Sequence, residues 1–242
     1  MAKALKDVHQ YYELKEESMR FRVQKMTELR DSMAAKVQDM HVKLSYGNRK
    51  TTALVPSVST IPVADCGNCK LCSRGCYDVK HVCCYRQTQR MRANNSAILK
   101  YDRERYFTEI RMQVHFLRFF RWHVGGDIKD MDYLERVVDI AQKEPGCEFL
   151  LFTKMYTIVA RFLDRFNSFP KNLHVLLSGW RGDEIYNPYN LPISTPEWQD
   201  GSISNAATRA WYVCDGDCSA CAECRGGCWN VKSGDTIIFE AH

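Results

Sequence analysis

The hydrophobic and polar positions at the start of the chain follow a helical period. Between Lys3 and Leu44 there is neither proline nor glycine, and apolar side chains recur at spacings of three, four or seven residues. These apolar positions are Leu5, Val8, Tyr12, Met19, Val23, Met26, Met33, Val37, Met40 and Leu44. The pattern predicts a long amphipathic helix, continuous or broken once, with a hinge at SYGNRK (45–50).

The apolar stripe of this helix has two uses. It could pair with a second copy of the chain and make a homo-oligomer, or fold back on the rest of the chain. Several stripe positions are methionine, which specifies helix pairing poorly, so packing within the chain is favoured. We therefore divide the chain into a helical extension, residues 1–44, and a main domain, residues 45–242.

A different rhythm governs the middle of the chain. Buried strands are predicted at FFRWHV (119–124), CEFLLFTK (147–154) and LHVLLSG (173–179), and helices between them at 131–143 and 156–166. Strands that alternate with helices of this length form parallel βαβ units. The predicted fold class is therefore α/β, a partial (β/α) barrel or parallel sheet with a long N-terminal helical extension.

The segments that flank this core are less regular. TTALVPSVSTIP (51–62) predicts a strand or an extended lead-in, and residues 87–117 predict one or two helices. Residues 180–205 are rich in Pro, Gly and Asn and predict an irregular excursion. Short strands are predicted at 207–214 and at the closing TIIFEAH.

The cysteines are concentrated in two short segments of the chain. Of 12 cysteines, all but Cys147 lie in residues 66–84 and 214–228, and two segments repeat one pattern. DCGNCKLCSRGCY (65–77, the first cysteine run) and DCSACAECRGGCW (217–229, the second cysteine run) both have the spacing C-x2-C-x2-C-x3-C. Such tight spacing suits a metal site better than a disulfide framework. The start of the chain has no apolar leader, and no run of 18 apolar residues occurs, so we expect a cytoplasmic protein with reduced thiols and no membrane contact.

The spacing favours an iron–sulfur cluster over a single ion. Three cysteines in consecutive x2 steps wrap one side of a group larger than one ion, and bacterial ferredoxins use this spacing for [4Fe-4S] clusters. The predicted metal ligands are Cys66, Cys69, Cys72, Cys76, Cys218, Cys221, Cys224 and Cys228, for one or two clusters. Zinc is the alternative, although structural zinc sites usually draw their ligands from two separate hooks.

More than one cysteine could be the fourth ligand of each cluster. The runs could exchange their last cysteines, so that Cys228 completes the first cluster and Cys76 the second, as in two-cluster ferredoxins. Alternatively, each run holds its own metal, or only one cluster forms. Cys214 could substitute as a ligand, at most one of the adjacent Cys83 and Cys84 could join the same metal, and Cys147 is expected to be a small core residue.

A second set of candidates follows the predicted strands, because functional groups on parallel α/β scaffolds collect at the carboxyl ends of strands. His123 and Asp127 could transfer protons, and Lys154 could hold an anion, so these three are the candidate catalytic residues. A small-molecule ligand or cofactor would contact Gly125, Gly126, Thr153 and Ser178. The alternative is that His123 is a core histidine and the glycine pair only a tight turn.

Charge adds one more candidate partner. The formal net charge is +5, but residues 86–121 alone sum to about +6. Nucleic acid could bind this segment, chiefly through Arg86, Arg90, Arg92, Arg103, Arg105 and Arg111. The alternative is the ordinary solvated face of a helix.

Several of these motifs together resemble a known family. CSRGCY, FRWHVGGDI with YLERVVDIAQ, FLLFTK, CAECRGGCW and IIFEAH are similar to the gene product 88-like proteins of phages and mobile elements, over about residues 45–242. The resemblance implies no particular chemistry.

A more distant likeness is to radical SAM enzymes, in which a partial (β/α) barrel carries a [4Fe-4S] cluster and a Gly-Gly-Glu-Pro motif lies near S-adenosylmethionine. Gly125, Gly126 and Asp127 match that motif in position. The likeness implies S-adenosylmethionine as a candidate cofactor. The spacing departs from the C-x3-C-x2-C of these enzymes, and a fourth cysteine ligand would close the cluster to it.

Overall fold

The computed structural model describes residues 13–47, 54–67, 72–180, 184–198, 201, 203, 210–214 and 216–240. The first part of the predicted helical stripe, the end of the hinge and the candidate ligand Cys69 lie outside the described residues.

The fold centres on an open, parallel sheet of seven strands among the described residues. Its strands are β1 Ser57–Val58, β2 Phe119–Trp122, β3 Glu148–Thr153, β4 Leu173–Ser178, β5 Ile193–Glu197, β6 Ala210–Val213 and β7 Thr236–Glu240. Their order across the sheet is β1-β2-β3-β4-β5-β7-β6, and each neighbouring pair is parallel. The predicted α/β class with a parallel sheet is therefore confirmed. The irregular excursion predicted at 180–205 is wrong in part, because β5 runs through it.

Helices connect most of the strands. The α-helices are α1 Glu16–Asp31, α2 Tyr77–Val82, α3 Arg86–Tyr101, α4 Arg103–Val114, α5 Met131–Lys143, α6 Tyr156–Phe166 and α7 Cys218–Glu223. Two short 3₁₀ helices span Ala34–Asp39 and Gly227–Trp229. None of the helices in the described ranges is long and apolar enough to cross a membrane.

The two faces of the sheet are covered by different parts of the chain. Side chains alternate between faces along a strand, so Phe120 and Trp122 of β2 join the large core formed with α3 to α6. Phe119 of β2 and Leu176 of β4 face the other way and pack with Trp229 of the second cysteine run. Because both faces are buried, the central strands are mostly apolar.

The N-terminal helix packs within the chain, as its composition favoured. Met26 of α1 is 1% exposed and packs with Ile61, Val82 and Ala93. The prediction of a helix as far as Leu44 is wrong, because the chain leaves the helical conformation after the 3₁₀ helix that ends at Asp39 and is extended from residue 40.

Buried polar side chains stabilise this extended piece. Asn95 of α3 accepts a hydrogen bond from the backbone N–H of Lys43 and donates one to its carbonyl, at 2.9 and 2.8 Å. Ser45 then pairs with Ser57 through two backbone hydrogen bonds of 2.7 and 2.8 Å. Since these contacts satisfy the backbone outside a helix, tertiary structure overrides the local helical pattern.

Candidate metal centre and ligand site

The first cysteine run follows β1 and lies against the loops that carry the second set of candidates. A Cβ on Gly67 would lie 2.7 Å from Met155 Sδ and 2.8 Å from the carbonyl oxygen of Ile128. Only glycine allows the run to approach these two loops so closely. Asp65 anchors the start of the run, where its carboxylate, 1% exposed, accepts the N–H of Ile61 at 3.0 Å.

Cys66, Cys72 and Cys76 of the first run are each partly buried. The pKa of Cys76 is raised to about 12, chiefly by burial and then by Cys72, Asp78 and Cys66, while the backbone at Val79 opposes the rise. A buried thiolate is costly unless a cation compensates its charge. Thiols are the donors that a thiophilic metal prefers. Among the described residues, which leave out Cys69, no three His, Cys, Asp or Glu side chains form a group that could hold a metal ion. Metal binding by the first run stays a prediction.

A buried ion pair supports the end of the first run. Asp78 of α2, two residues after Cys76, receives a hydrogen bond of 2.6 Å from Arg92 of α3, and both side chains are buried. The chain passes this pair at Gly125, where a Cβ would lie 2.8 Å from Arg92 Cζ. At Gly126 the φ angle is +91° and a Cβ would overlap Thr60 Oγ1. Packing against the protein itself thus accounts for both glycines.

His123 lies in the core. Its Nε2 is 2.8 Å from the hydroxyl of Tyr133, and the side chain is only 4% exposed. The pKa of His123 is lowered to about 3, chiefly by burial and in smaller part by the nearby Arg92. The imidazole is therefore neutral near pH 7, and the structure favours the core alternative for this residue.

The remaining candidates come together at the carboxyl ends of β2, β3 and β4. Asp127 accepts the backbone N–H of Ile128 at 2.6 Å and that of Lys154 at 2.9 Å, and it also bonds the Thr153 side chain. Burial raises the pKa of Asp127, and these hydrogen bonds oppose that rise. Lys154 Nζ donates to Ser178 Oγ at 2.8 Å.

An aromatic side chain completes this ligand site. Lys154 Nζ lies 5.5 Å from the centre of the Trp180 ring, and Tyr156 donates to the Ser178 carbonyl at 2.6 Å. A half-buried ammonium beside a hydroxyl and an indole can bind an anionic group together with a flat apolar one. We refer to Asp127, Thr153, Lys154, Ser178 and Trp180 as the ligand site.

The second cysteine run lies on the sheet face that Phe119 lines. Trp229 packs edge-on against Phe119 and His174, with ring centres 5.0 and 5.9 Å apart. The pKa of Cys228 is raised to about 12, chiefly by burial and then by Cys214, Cys218 and Cys221, while Arg121 opposes the rise. The exchange of Cys76 and Cys228 between two clusters stays a prediction.

Sequence reasoning gave no role to Arg121. Its Nη1 is 3.9 Å from Cys218 Sγ, and its guanidinium stacks 4.9 Å from the centre of the Phe152 ring. The signal in the sequence that could have indicated a role for Arg121 was its charge, because the strand FFRW is otherwise apolar. By strand alternation, that residue shares a face with Phe119.

The arginine-rich segment is largely engaged within the chain. Arg103 pairs with Asp130 and Asp132, and Arg111 pairs with Glu144. Arg105 pairs with Asp102 and Glu109, while Arg92 is buried with Asp78. Arg86 and Arg90 are exposed. Nucleic-acid binding by this segment stays a prediction.

The fold is that of a parallel α/β protein with two cysteine-rich segments, the first of which packs at Gly67 beside the candidate residues at the strand ends. The family model for gene product 88 matches residues 24–217, most of the chain, and the chain belongs to this family. The match begins inside α1 and ends before Cys218, so it starts and stops earlier than the sequence motifs suggested. No curated protein and no solved structure matches the chain.

Proposed function

We propose that this protein is an iron–sulfur enzyme in which the first cysteine run holds a [4Fe-4S] cluster next to the ligand site. The observation that carries the proposal is the close packing of Gly67 on Met155 and Ile128. This packing sets the backbone next to Cys66 against Ile128 and Met155, the residues that follow Asp127 and Lys154.

The chemistry divides between the cluster and the protein. A bound cluster would supply one-electron redox chemistry to a ligand in the site. Cys66, Cys72 and Cys76 are the described thiols that would bind it, together with Cys69. Lys154 would bind an anionic group of the ligand, and Trp180 would cover a flat part of it.

Asp127 acts as a positioning residue in this proposal. Its carboxylate accepts two backbone N–H groups on different loops, so it fixes the loop after β2 against the loop after β3. Because Oδ2 accepts the backbone N–H of Lys154, Asp127 would position Lys154 for the ligand.

The strand arrangement supports a radical-SAM-like reaction in particular. Strands β1 to β5 lie in sequence order, as in a partial (β/α) barrel, and the first cysteine run directly follows β1. The glycine pair and Asp127 directly follow β2. We propose S-adenosylmethionine as the ligand, which requires that one of the four cysteines leave an iron open.

The cluster is tested by metal analysis of the full chain purified without oxygen. We expect iron and sulfide in equal amounts, at about four of each per cluster. Cys66→Ser and Cys72→Ser should each remove one cluster, whereas Cys84→Ser, at an exposed position, should retain the full content. Stoichiometric zinc without iron and sulfide would overturn the proposal.

The ligand is tested by equilibrium binding of S-adenosylmethionine to the same anaerobic protein. Loss of the Lys154 ammonium should weaken binding about tenfold or more, since a hydrogen bond to a charged group is worth about 1.5–3 kcal/mol. The variant is Lys154→Met, and Lys143→Met, whose exposed ammonium pairs with Asp139 on α5, is the matched control. Equal weakening in the two variants would argue against the ligand site.

A further inference from the structure

We propose that Ser194 of β5 completes an oxyanion subsite with Lys154 and Ser178, and that this subsite binds the carboxylate or phosphate of a ligand that also carries a flat ring. Sequence reasoning gave no role to Ser194. The inference rests on the ligand site of the proposed function, but it requires neither the iron–sulfur cluster nor S-adenosylmethionine.

Ser194 has a buried hydroxyl without a hydrogen bond. Its side chain is 0% exposed, and its Oγ has no hydrogen-bond partner among the described residues. The Ser194 backbone is paired, because its carbonyl accepts the N–H of Gly179 at 2.7 Å. A buried hydroxyl without a hydrogen bond costs free energy, and a ligand that satisfies the hydroxyl is one reason for a protein to retain it.

The strand register places this hydroxyl beside the ligand site. Ser178 and Ser194 are paired residues of the parallel strands β4 and β5. Paired residues of neighbouring strands lie about 4.8 Å apart and point to the same face of the sheet. The Ser194 side chain therefore lies next to that of Ser178, whose Oγ accepts a hydrogen bond of 2.8 Å from Lys154 Nζ.

The three side chains together offer several donors to one anion. Each serine hydroxyl has one hydrogen to donate, and the Lys154 ammonium has three, of which Ser178 uses one. The nearby Asp127 carboxylate interacts electrostatically with Lys154, but its hydrogen bonds go to backbone N–H groups and to Thr153. Because hydrogen bonds to an ionised group are the stronger ones, an oxyanion satisfies these donors better than a neutral group does. Since Ser194 is shielded from solvent, we expect the half-buried Lys154 side chain to move when the anion binds.

Two tryptophans favour a flat ring as the rest of the ligand. The Trp180 ring centre lies 5.5 Å from Lys154 Nζ, and the ring packs edge-on against Trp198 at 5.5 Å. Trp198 is 3% exposed, so it helps to hold the half-buried Trp180 ring in place. A flat ring would stack on Trp180 while its anionic group reaches the two serines.

The test compares probes with and without the anionic group. Adenosine monophosphate carries a phosphate and S-adenosylmethionine a carboxylate; adenosine and decarboxylated S-adenosylmethionine are the matched probes without that group. Ser194→Ala should weaken binding of an anionic probe about tenfold or more, because it removes a hydrogen bond to a charged group, and should leave the matched probe unchanged. Calorimetry on the full chain purified without oxygen measures both affinities, and the probe that depends on Ser194 identifies the anion.

Ser96→Ala is the matched control, because Ser96 of α3 also has a buried hydroxyl without a partner among the described residues. It should bind every probe as the wild type does, and circular dichroism of both variants checks that they fold. Unchanged binding of both anionic probes by Ser194→Ala would overturn the subsite. So would equal weakening of the matched probes, or a wild-type protein that binds neither anionic probe.

The two anionic probes also separate this inference from the proposed function. If adenosine monophosphate binds through Ser194 and S-adenosylmethionine does not bind, the subsite stands and the proposed ligand fails. If S-adenosylmethionine binds equally to wild type and Ser194→Ala, and adenosine monophosphate does not bind, the ligand stands and the subsite fails.

Discussion

The two cysteine runs share one spacing pattern but adopt different local structures. In the second run, Asp217 caps α7 by accepting the N–H groups of Ser219 and Ala220, and the helix begins at the first cysteine, Cys218. In the first run, turns occupy residues 72–75, and α2 begins at Tyr77, after the last cysteine. The same order of residues therefore does not impose the same backbone.

The aromatic residue after the last cysteine shows where each run goes. Tyr77 is 39% exposed, and its hydroxyl donates to the carbonyl of Val124 in the loop after β2. Trp229 is 6% exposed and packs on Phe119 of the sheet. The cysteine spacing is the same in both runs. The residue that follows each run differs, and it determines whether the run packs on loops at the strand ends or on a face of the sheet. The first run therefore contacts the loop after β2, whereas the second run covers a face of the sheet.

Removing the Trp229 side chain should have the largest effect on stability. Trp229→Ala deletes a buried aromatic from the sheet face, and such truncations cost about 3–5 kcal/mol of the free energy of unfolding. Denaturant unfolding followed by tyrosine fluorescence or circular dichroism measures the loss. The comparison variant is Tyr77→Phe, which removes one hydroxyl hydrogen bond and should cost about 0.5–1.5 kcal/mol. Similar losses in the two variants would contradict the difference between the runs.

The free energy of unfolding should also depend on pH, because of the buried His123. His123 has a pKa of about 3 in the folded protein, because it is buried, whereas the unfolded chain has the ordinary value near 6.5. Between these two pH values, the imidazole is protonated in the unfolded state but neutral in the folded state. The contribution of His123 to the free energy of unfolding is therefore complete above pH 6.5 and is lost as the pH falls toward 3. At pH 5 the loss is about 2 kcal/mol.

The variant His123→Asn tests this contribution, since asparagine tolerates the φ of 51° at this position. The quantity to compare is the change in unfolding free energy between pH 7.5 and pH 5, not the absolute stability. Wild-type protein should lose about 2 kcal/mol more than the variant over this interval. Parallel pH profiles would show that the histidine is protonated in the folded state.

The sequence predicted the central fold because its strands and helices carry strong periodic patterns. FFRWHV and CEFLLFTK are apolar enough to be buried on both sides, and the 131–143 and 156–166 segments match α5 and α6 at both ends. The proximity of the candidate residues could also be predicted, because the carboxyl ends of neighbouring parallel strands must lie at one edge of the sheet. Thus Asp127, Lys154 and Ser178 came together as side chains from three strand ends.

Other features depended on contacts that are distant in sequence. Asn95 stabilises the extended segment at Lys43, which is 52 residues away in the sequence. A local sequence pattern does not predict such a contact. His123 lies in the core because of its contact with Tyr133 on α5, although its position after a strand suggested a catalytic role. Cys214 approaches the second run because β6 pairs with β7, which the cysteine spacing alone could not indicate.

The smallest expected effect concerns the cap that distinguishes the second run. Asp217→Ala removes the two hydrogen bonds that Oδ1 accepts from the N–H groups of Ser219 and Ala220. Loss of an N-cap costs about 1 kcal/mol of unfolding free energy. Asp139→Ala, which removes only an exposed pair with Lys143, should stay within about 0.5 kcal/mol of wild type. Since Trp229 still packs on Phe119 of the sheet, the second run should keep its place in both variants. A loss as large as that of Trp229→Ala would mean that the cap, rather than packing on the sheet, is what orders the second run.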